Sequence, residues 1–169
     1  MKRNDLFLKN DIIYRVLYID EPKILIIDCV KKIMPYWIHI KFLIDSKQIT
    51  EDELLEATGI DLDAFKCLSL EEQAEAQRLW NSISNIVLFI HKDSERKMIF
   101  KACCEEYHVS RDTIRKRLVD YLVYQNIPIF VKKVKYKKTK ELSDDEKNFV
   151  NFNYLWYNYY TSNTFLKNK

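Results

Sequence analysis

The sequence predicts an α+β fold, with a small β-rich unit first and a helical region after it. Two patterns in the 169 residues carry that reading. The first 45 or so residues are runs of Ile, Val, Leu and Tyr broken by turn-forming residues, which is the composition of short strands. From Thr50 onward apolar residues recur at helical spacing behind capping boxes, in which two side chains satisfy the free amides of a first turn. An apolar fraction of 47% with 31% charged residues is enough to bury a core.

The expected strands are Leu6–Leu8, Ile12–Ile19 and Lys23–Val30, with a further one at Tyr36–Ile40 after Pro35. Asp20-Glu21-Pro22 and the Lys-Asn-Asp before Ile12 are turn sequences. Ile12–Ile19 is apolar at nearly every position, so that strand is expected to be covered on both faces. Residues 1–48 then form a curled sheet or an SH3-like barrel. Residues 49–68 connect through short helices, opening at the capping box Thr50-Glu51-Asp52-Glu53. A second box, Ser69-Leu70-Glu71-Glu72, opens a helix running to about Ile90, with Ala76, Leu79, Trp80, Ile83, Val87 and Ile90 on one stripe. Helices at about Ser94–Tyr107 and Arg111–Gln125 complete a domain over 69–127. Pro128 stops helical structure, and residues 128–142 read as a basic linker. Ser143-Asp144-Asp145-Glu146 caps a last helix bearing Phe149, Phe152, Asn153, Trp156 and Tyr160, so 143–169 reads as the start of a second, truncated helical subdomain.

Composition excludes several function classes. Gly59 is the one glycine, whereas phosphate-cradling loops of the Walker or dinucleotide type need several close together. No apolar run reaches the roughly 18 residues of a membrane span, and the N-terminus is not a secretory signal, so the expected location is the cytoplasm. Cys29, Cys67, Cys103 and Cys104 lack CxxC spacing and read as buried small hydrophobes or free thiols in a reducing compartment.

The net charge of +3 is unevenly spread. Residues 1–90 hold 11 Lys/Arg against 15 Asp/Glu, residues 91–140 hold 14 against 6, and residues 141–169 hold 3 against 4. The excess positive charge therefore sits in one 50-residue block, the electrostatic footprint of a phosphate-contacting module. Within it, Met98–Leu118 fits a helix-turn-helix. Ala102 is small enough for a second helix to cross close by. Val109 follows the turn and plugs the gap between the helices. Ser110 caps the second helix, while Ile114 and Leu118, followed by Tyr121 and Leu122, face inward. His108 stands where such turns often use Gly for a left-handed backbone, which His tolerates better than most residues.

The outward face then carries Arg111, Asp112, Arg115, Lys116 and Val119, and its N-terminal half is the part that enters a major groove in this motif. Arginine there can bridge guanine O6 and N7, and Ser110 and Thr113 can reach phosphates or thymine methyls. The expected DNA-binding residues are Ser110, Arg111, Asp112, Thr113, Arg115 and Lys116, with Lys132, Lys133, Lys135, Lys137 and Lys138 of the linker. That linker holds six lysines in nine residues. It can track phosphates or the minor groove, or serve as a solvated connector.

This order of parts resembles the N-terminal region of TnsB-type transposases, relatives of the Mu transposase and retroviral integrase group. A β-rich unit precedes a capped helix, the helix-turn-helix Tyr107–Leu118, a basic linker and a further capped helix. The likeness spans about Leu6 to Phe165. It implies recognition of double-stranded DNA at transposon terminal repeats, with other transposition proteins as further partners and the bacterial nucleoid as the setting. In that family a separate RNase H-like domain binds two magnesium ions through three acidic residues. The expectation for residues 1–169 is recognition without that domain: no enzyme activity, no cofactor, and no small-molecule substrate. A stand-alone helix-turn-helix transcription regulator is the alternative, and an adaptor whose basic face meets an acidic protein is a third.

Other constellations read as structural. Cys103, Cys104 and His108 offer no tetrahedral ligand set, and Cys103 falls on the apolar stripe of its helix. His39, His91 and His108 are scattered, with no nucleophile in a recognisable elbow. Glu51, Asp52, Glu53 and Glu56 begin at a helix start, where acids favour the helix dipole. The aromatics between Phe149 and Tyr160 either stack on bases or form core.

Overall fold

The computed structural model describes residues 1–61 and 68–131, all within one compact unit, Met1–Lys137. Five strands form an antiparallel sheet: β1 (Leu6–Lys9), β2 (Ile12–Asp20), β3 (Lys23–Asp28), β4 (Tyr36–His39) and β5 (Lys47–Ile49). Their order across the sheet is β4-β3-β2-β1-β5. Asn10 and Asp11, both at positive φ (50° and 61°), make the two-residue turn between β1 and β2, a conformation that Asn and Asp accept readily. The strand β5 was not expected. Lys-Gln-Ile has a single apolar side chain, too short for an alternating pattern, and it is held by pairing Leu6 with Ile49 and Leu8 with Lys47.

The centre of the sheet is covered on both faces, as the nearly continuous apolar run of β2 predicts. Tyr14, Val16, Ile24 and Ile26 point to an inner cluster closed by Phe7 and by Leu43 of the 3-10 turn Ile40–Leu43. Ile13, Leu17, Leu25 and Ile27 point the other way, into a core shared with the helices. A bulge between Val16 and Tyr18 increases the local bend of β2, as an extra residue does in an antiparallel pair.

Among the described residues four α-helices follow: α1 (Glu51–Thr58), α2 (Leu70–Leu88), α3 (Asp93–Glu106) and α4 (Arg111–Tyr124). The two capping boxes form as written in the sequence, Thr50 with Glu53 and Ser69 with Glu72. Gly59 ends α1 at φ 67°, the left-handed cap that glycine accepts without a Cβ clash. On α2, Ala76, Ile83, Ile86 and Val87 are buried, and Trp80 packs at a 45° tilt against Tyr121 of α4 with centroids 4.2 Å apart. A 3-10 turn, Ile127–Phe130, carries Pro128 as its second residue and packs against α2 and α4. Ile49 and Leu54 share the core with Ile83, Ile114 and Leu122. The divisions expected after residues 48 and 68 thus fall inside one unit. The expected last helix and its aromatic residues lie outside the described residues.

Candidate functional site

Exposed cations of α3 and α4, Lys97, Lys101, Arg111 and Arg115, come together where the two helices meet. The two helices are joined by Tyr107-His108-Val109. The Val109 amide donates to the Cys104 carbonyl at 3.2 Å, and His108 takes φ 50°, the left-handed value that reverses the chain. Val109 is half-buried against the core. Ser110 then starts α4, its hydroxyl accepting from the Thr113 amide at 3.2 Å and lying 2.9 Å from the Thr113 hydroxyl. Ile114 and Leu118 are fully buried and hold the helix against α2 and α3.

Two expectations are overturned here. Val119 is buried: it is 4% exposed, although it lines the same cleft as Asp112, Arg115 and Lys116, where Lys32, Ile60 and Ile129 are its neighbours. Ala102, expected at the crossing of the two helices, is exposed; Phe100 and Cys103 occupy the buried face of α3 instead.

The remaining predicted residues of α4 are brought together. Ser110, Arg111, Asp112, Arg115 and Lys116 are exposed and Thr113 is half-buried. Two clefts flank them. One, about 320 Å³, lies between the starts of α3 and α4 and is lined by Met34, Arg96, Lys97 and Phe100 with Arg111, Asp112 and Arg115. The Arg111 guanidinium sits 5.7 Å above the Phe100 ring. The other, about 450 Å³, borders Lys32, Ile60, Ile129 and Asp120 and shares Asp112 and Arg115. Arg96 is committed elsewhere, donating to the Ile90 carbonyl at 2.7 Å and pairing with Asp93. Arg117 turns inward to the Ser82 hydroxyl at 3.1 Å, and burial lowers its pKa from the ordinary arginine value.

Sequence reasoning missed Lys97, Lys101 and Lys32. Lys97 and Lys101 stand one turn apart on α3, on the face that also carries Cys104, and with Phe100 and Arg111 they line a third cleft. That i, i+4 spacing was readable. Lys32 lies about 80 residues away in sequence, so nothing local signals its place. Lys132, Lys133, Lys135, Lys137 and Lys138 lie outside the described residues.

Among the described residues no three His, Cys, Asp or Glu side chains are grouped to hold a metal, and no described helix is long and apolar enough to cross a membrane. The cysteines differ sharply in environment. Burial pushes the Cys29 thiol up to about 12, and burial with the nearby Glu106 raises Cys103. Cys104 is half-exposed at the cationic cleft. Since the thiolate is the reactive form, iodoacetamide at neutral pH is expected to modify Cys104 at least tenfold faster than Cys29. Peptide mass mapping over a time course checks this; equal rates would mean that Cys29 is not enclosed.

No protein-family model matches the chain, and no curated protein matches it either.

Proposed function

We propose that this chain binds double-stranded DNA, with α3, the His108 turn and α4 acting as a helix-turn-helix and α4 as its recognition helix. The observation that carries the reading is the division of α4. Its inner residues Ile114, Leu118 and Leu122 are buried to within 2%, whereas Arg111, Asp112, Arg115 and Lys116 on its first two turns are exposed. A capped helix start, bearing cations and held rigidly from behind, is what base-edge recognition in a major groove requires. Arg111 and Arg115 supply bidentate donors for guanine, and Asp112 supplies an acceptor for cytosine N4. Lys97 and Lys101 add charge from α3 for the phosphate backbone.

The β unit supports the same reading as an SH3-like barrel: a meander of four strands, a 3-10 turn, and a fifth strand returning to β1. The resemblance to the N-terminal region of TnsB-type transposases then assigns the target as repeats at the ends of a mobile element. It assigns recognition alone. Magnesium-dependent strand transfer belongs to the family's separate RNase H-like domain.

Duplex binding followed by fluorescence anisotropy over a salt series tests the proposal. Each phosphate neutralised adds about −0.9 to the slope of log affinity against log salt. The wild-type chain is expected to show a slope of roughly −4 or steeper. Neutralising Lys132, Lys133 and Lys135 together is expected to flatten it by about 2 to 3. An affinity independent of salt, or no binding at low salt, would remove DNA as the partner and leave the acidic-protein adaptor.

A further inference from the structure

The turn between β3 and β4, residues 29–35, is fastened to the second half of α4 through Lys32, borders the clefts beside the first turns of that helix, and presents a lysine that no described side chain neutralises. Its geometry is fixed at several points. The Asp28 carboxylate accepts from the amides of Val30 and Lys31, at 3.0 and 2.8 Å. The Lys32 amide donates to the Asp28 carbonyl at 3.0 Å, and Lys32 adopts φ 52°. The Lys32 ammonium then reaches across to α4, 3.0 Å from Asp120 and 4.7 Å above the Tyr124 ring. Two residues on, Met34 lines the cleft that contains Arg111 and Arg115. The turn therefore runs alongside the exposed first turns of α4.

Within this turn the two lysines have different roles. Lys32 is committed to Asp120. Lys31 is exposed and makes no ion pair with any described residue, although a rigid hydrogen-bonded turn holds its backbone. Val30 and Ile33 on either side are also exposed, 52% and 39%. A helix lying in a major groove about 12 Å wide has a phosphate rim on each side. An element clamped beside that helix faces one rim, and a flexible ammonium is suited to a phosphate as a point charge.

Building on the DNA-binding reading, we propose that the β3–β4 turn is a second DNA-contacting element. Lys31 takes a backbone phosphate at the edge of the groove that α4 enters, and the Lys32–Asp120 pair sets the register between the two elements. The β unit is in this way part of the DNA interface rather than only a support for the helices.

Anisotropy with wild type, Lys31→Ala, Lys31→Arg, Lys23→Ala and Arg115→Ala tests this against both a duplex selected from a randomised pool and an arbitrary duplex. Lys31→Ala is expected to weaken both complexes alike, by about fivefold to tenfold near 0.1 M salt, and to reduce the salt slope by about 1. Lys31→Arg restores most of the loss. Lys23→Ala, which removes an exposed lysine at the opposite end of β3, leaves affinity within about twofold. Unchanged binding by Lys31→Ala, or an equal loss from Lys23→Ala, overturns the inference, and a retained Arg115→Ala defect shows that the helix reading survives it. If wild type fails to bind either duplex, the helix reading itself has failed, and this inference with it.

Discussion

Replacing Arg115 with alanine is expected to lower affinity for a selected duplex by roughly tenfold to a hundredfold, and for an arbitrary duplex by less than about fivefold. The basis is its position. Arg115 is exposed on the second turn of α4, shared by the two clefts that flank the helix, and Ile114 beside it is fully buried. The backbone at 115 is therefore fixed while its side chain is available. A bidentate arginine–guanine contact contributes about 1–3 kcal/mol of discrimination against other bases; a phosphate contact contributes to every sequence equally. The ratio of the two losses decides which Arg115 makes. Equal weakening of both duplexes would convert it to a phosphate contact and shift base reading to Arg111 and Asp112. Because the side chain is exposed, the melting temperature of the variant is expected to stay within about 2 °C of wild type, so a binding defect cannot be attributed to unfolding.

Much of this surface was legible before any coordinates. Ser110 as cap, His108 as the left-handed turn residue, and Ile114 and Leu118 as the inner face each follow from one local rule. Their spacing leaves Arg111, Asp112, Arg115 and Lys116 outside. What was not legible was the environment of the second half of α4. Val119 sits at the helical position that continues the outward face, and from α3 and α4 alone it belongs there. It is buried in a cleft that it lines together with Lys32 and Ile60, both more than 50 residues away in sequence, and with Ile129. The unexpected strand β5 and the place of Lys32 beside Asp120 escape for the same reason. Local periodicity reports which face of an element is apolar; it does not report how many neighbours enclose it.

Arg15 is the sharpest instance of a long-range requirement, and Arg15→Ala is expected to destabilise the fold by roughly 2–4 kcal/mol, lowering Tm by roughly 5–15 °C. In the sequence it is one charged residue in an apolar strand. In the structure it is completely buried, and each of its three guanidinium nitrogens donates a hydrogen bond. Its Nε donates to the Val123 carbonyl of α4 at 2.8 Å. Its two terminal nitrogens grip both oxygens of Glu51, at the start of α1, at 2.6 Å, and one also donates to the Asn4 carbonyl at 3.2 Å. Such a side chain joins the sheet to two helices. Truncation leaves the Val123 carbonyl unpaired in the core and opens a void. The stranded Glu51 adds less than a buried carboxylate would, because its side chain is 56% exposed and water can replace the lost partner. Arg15→Met separates the two contributions, since it fills most of the volume without donating a hydrogen bond, and about half of the loss is expected to remain. Sheet and helices share one core through Leu25, Ile83 and Ile114, so calorimetry should show a single transition that moves as a whole in both variants. A variant in which the helices melt early and the sheet melts at its wild-type temperature would mean that Arg15 fastens two separately folding parts. Binding through α4 would then be lost at temperatures where the β unit remains intact.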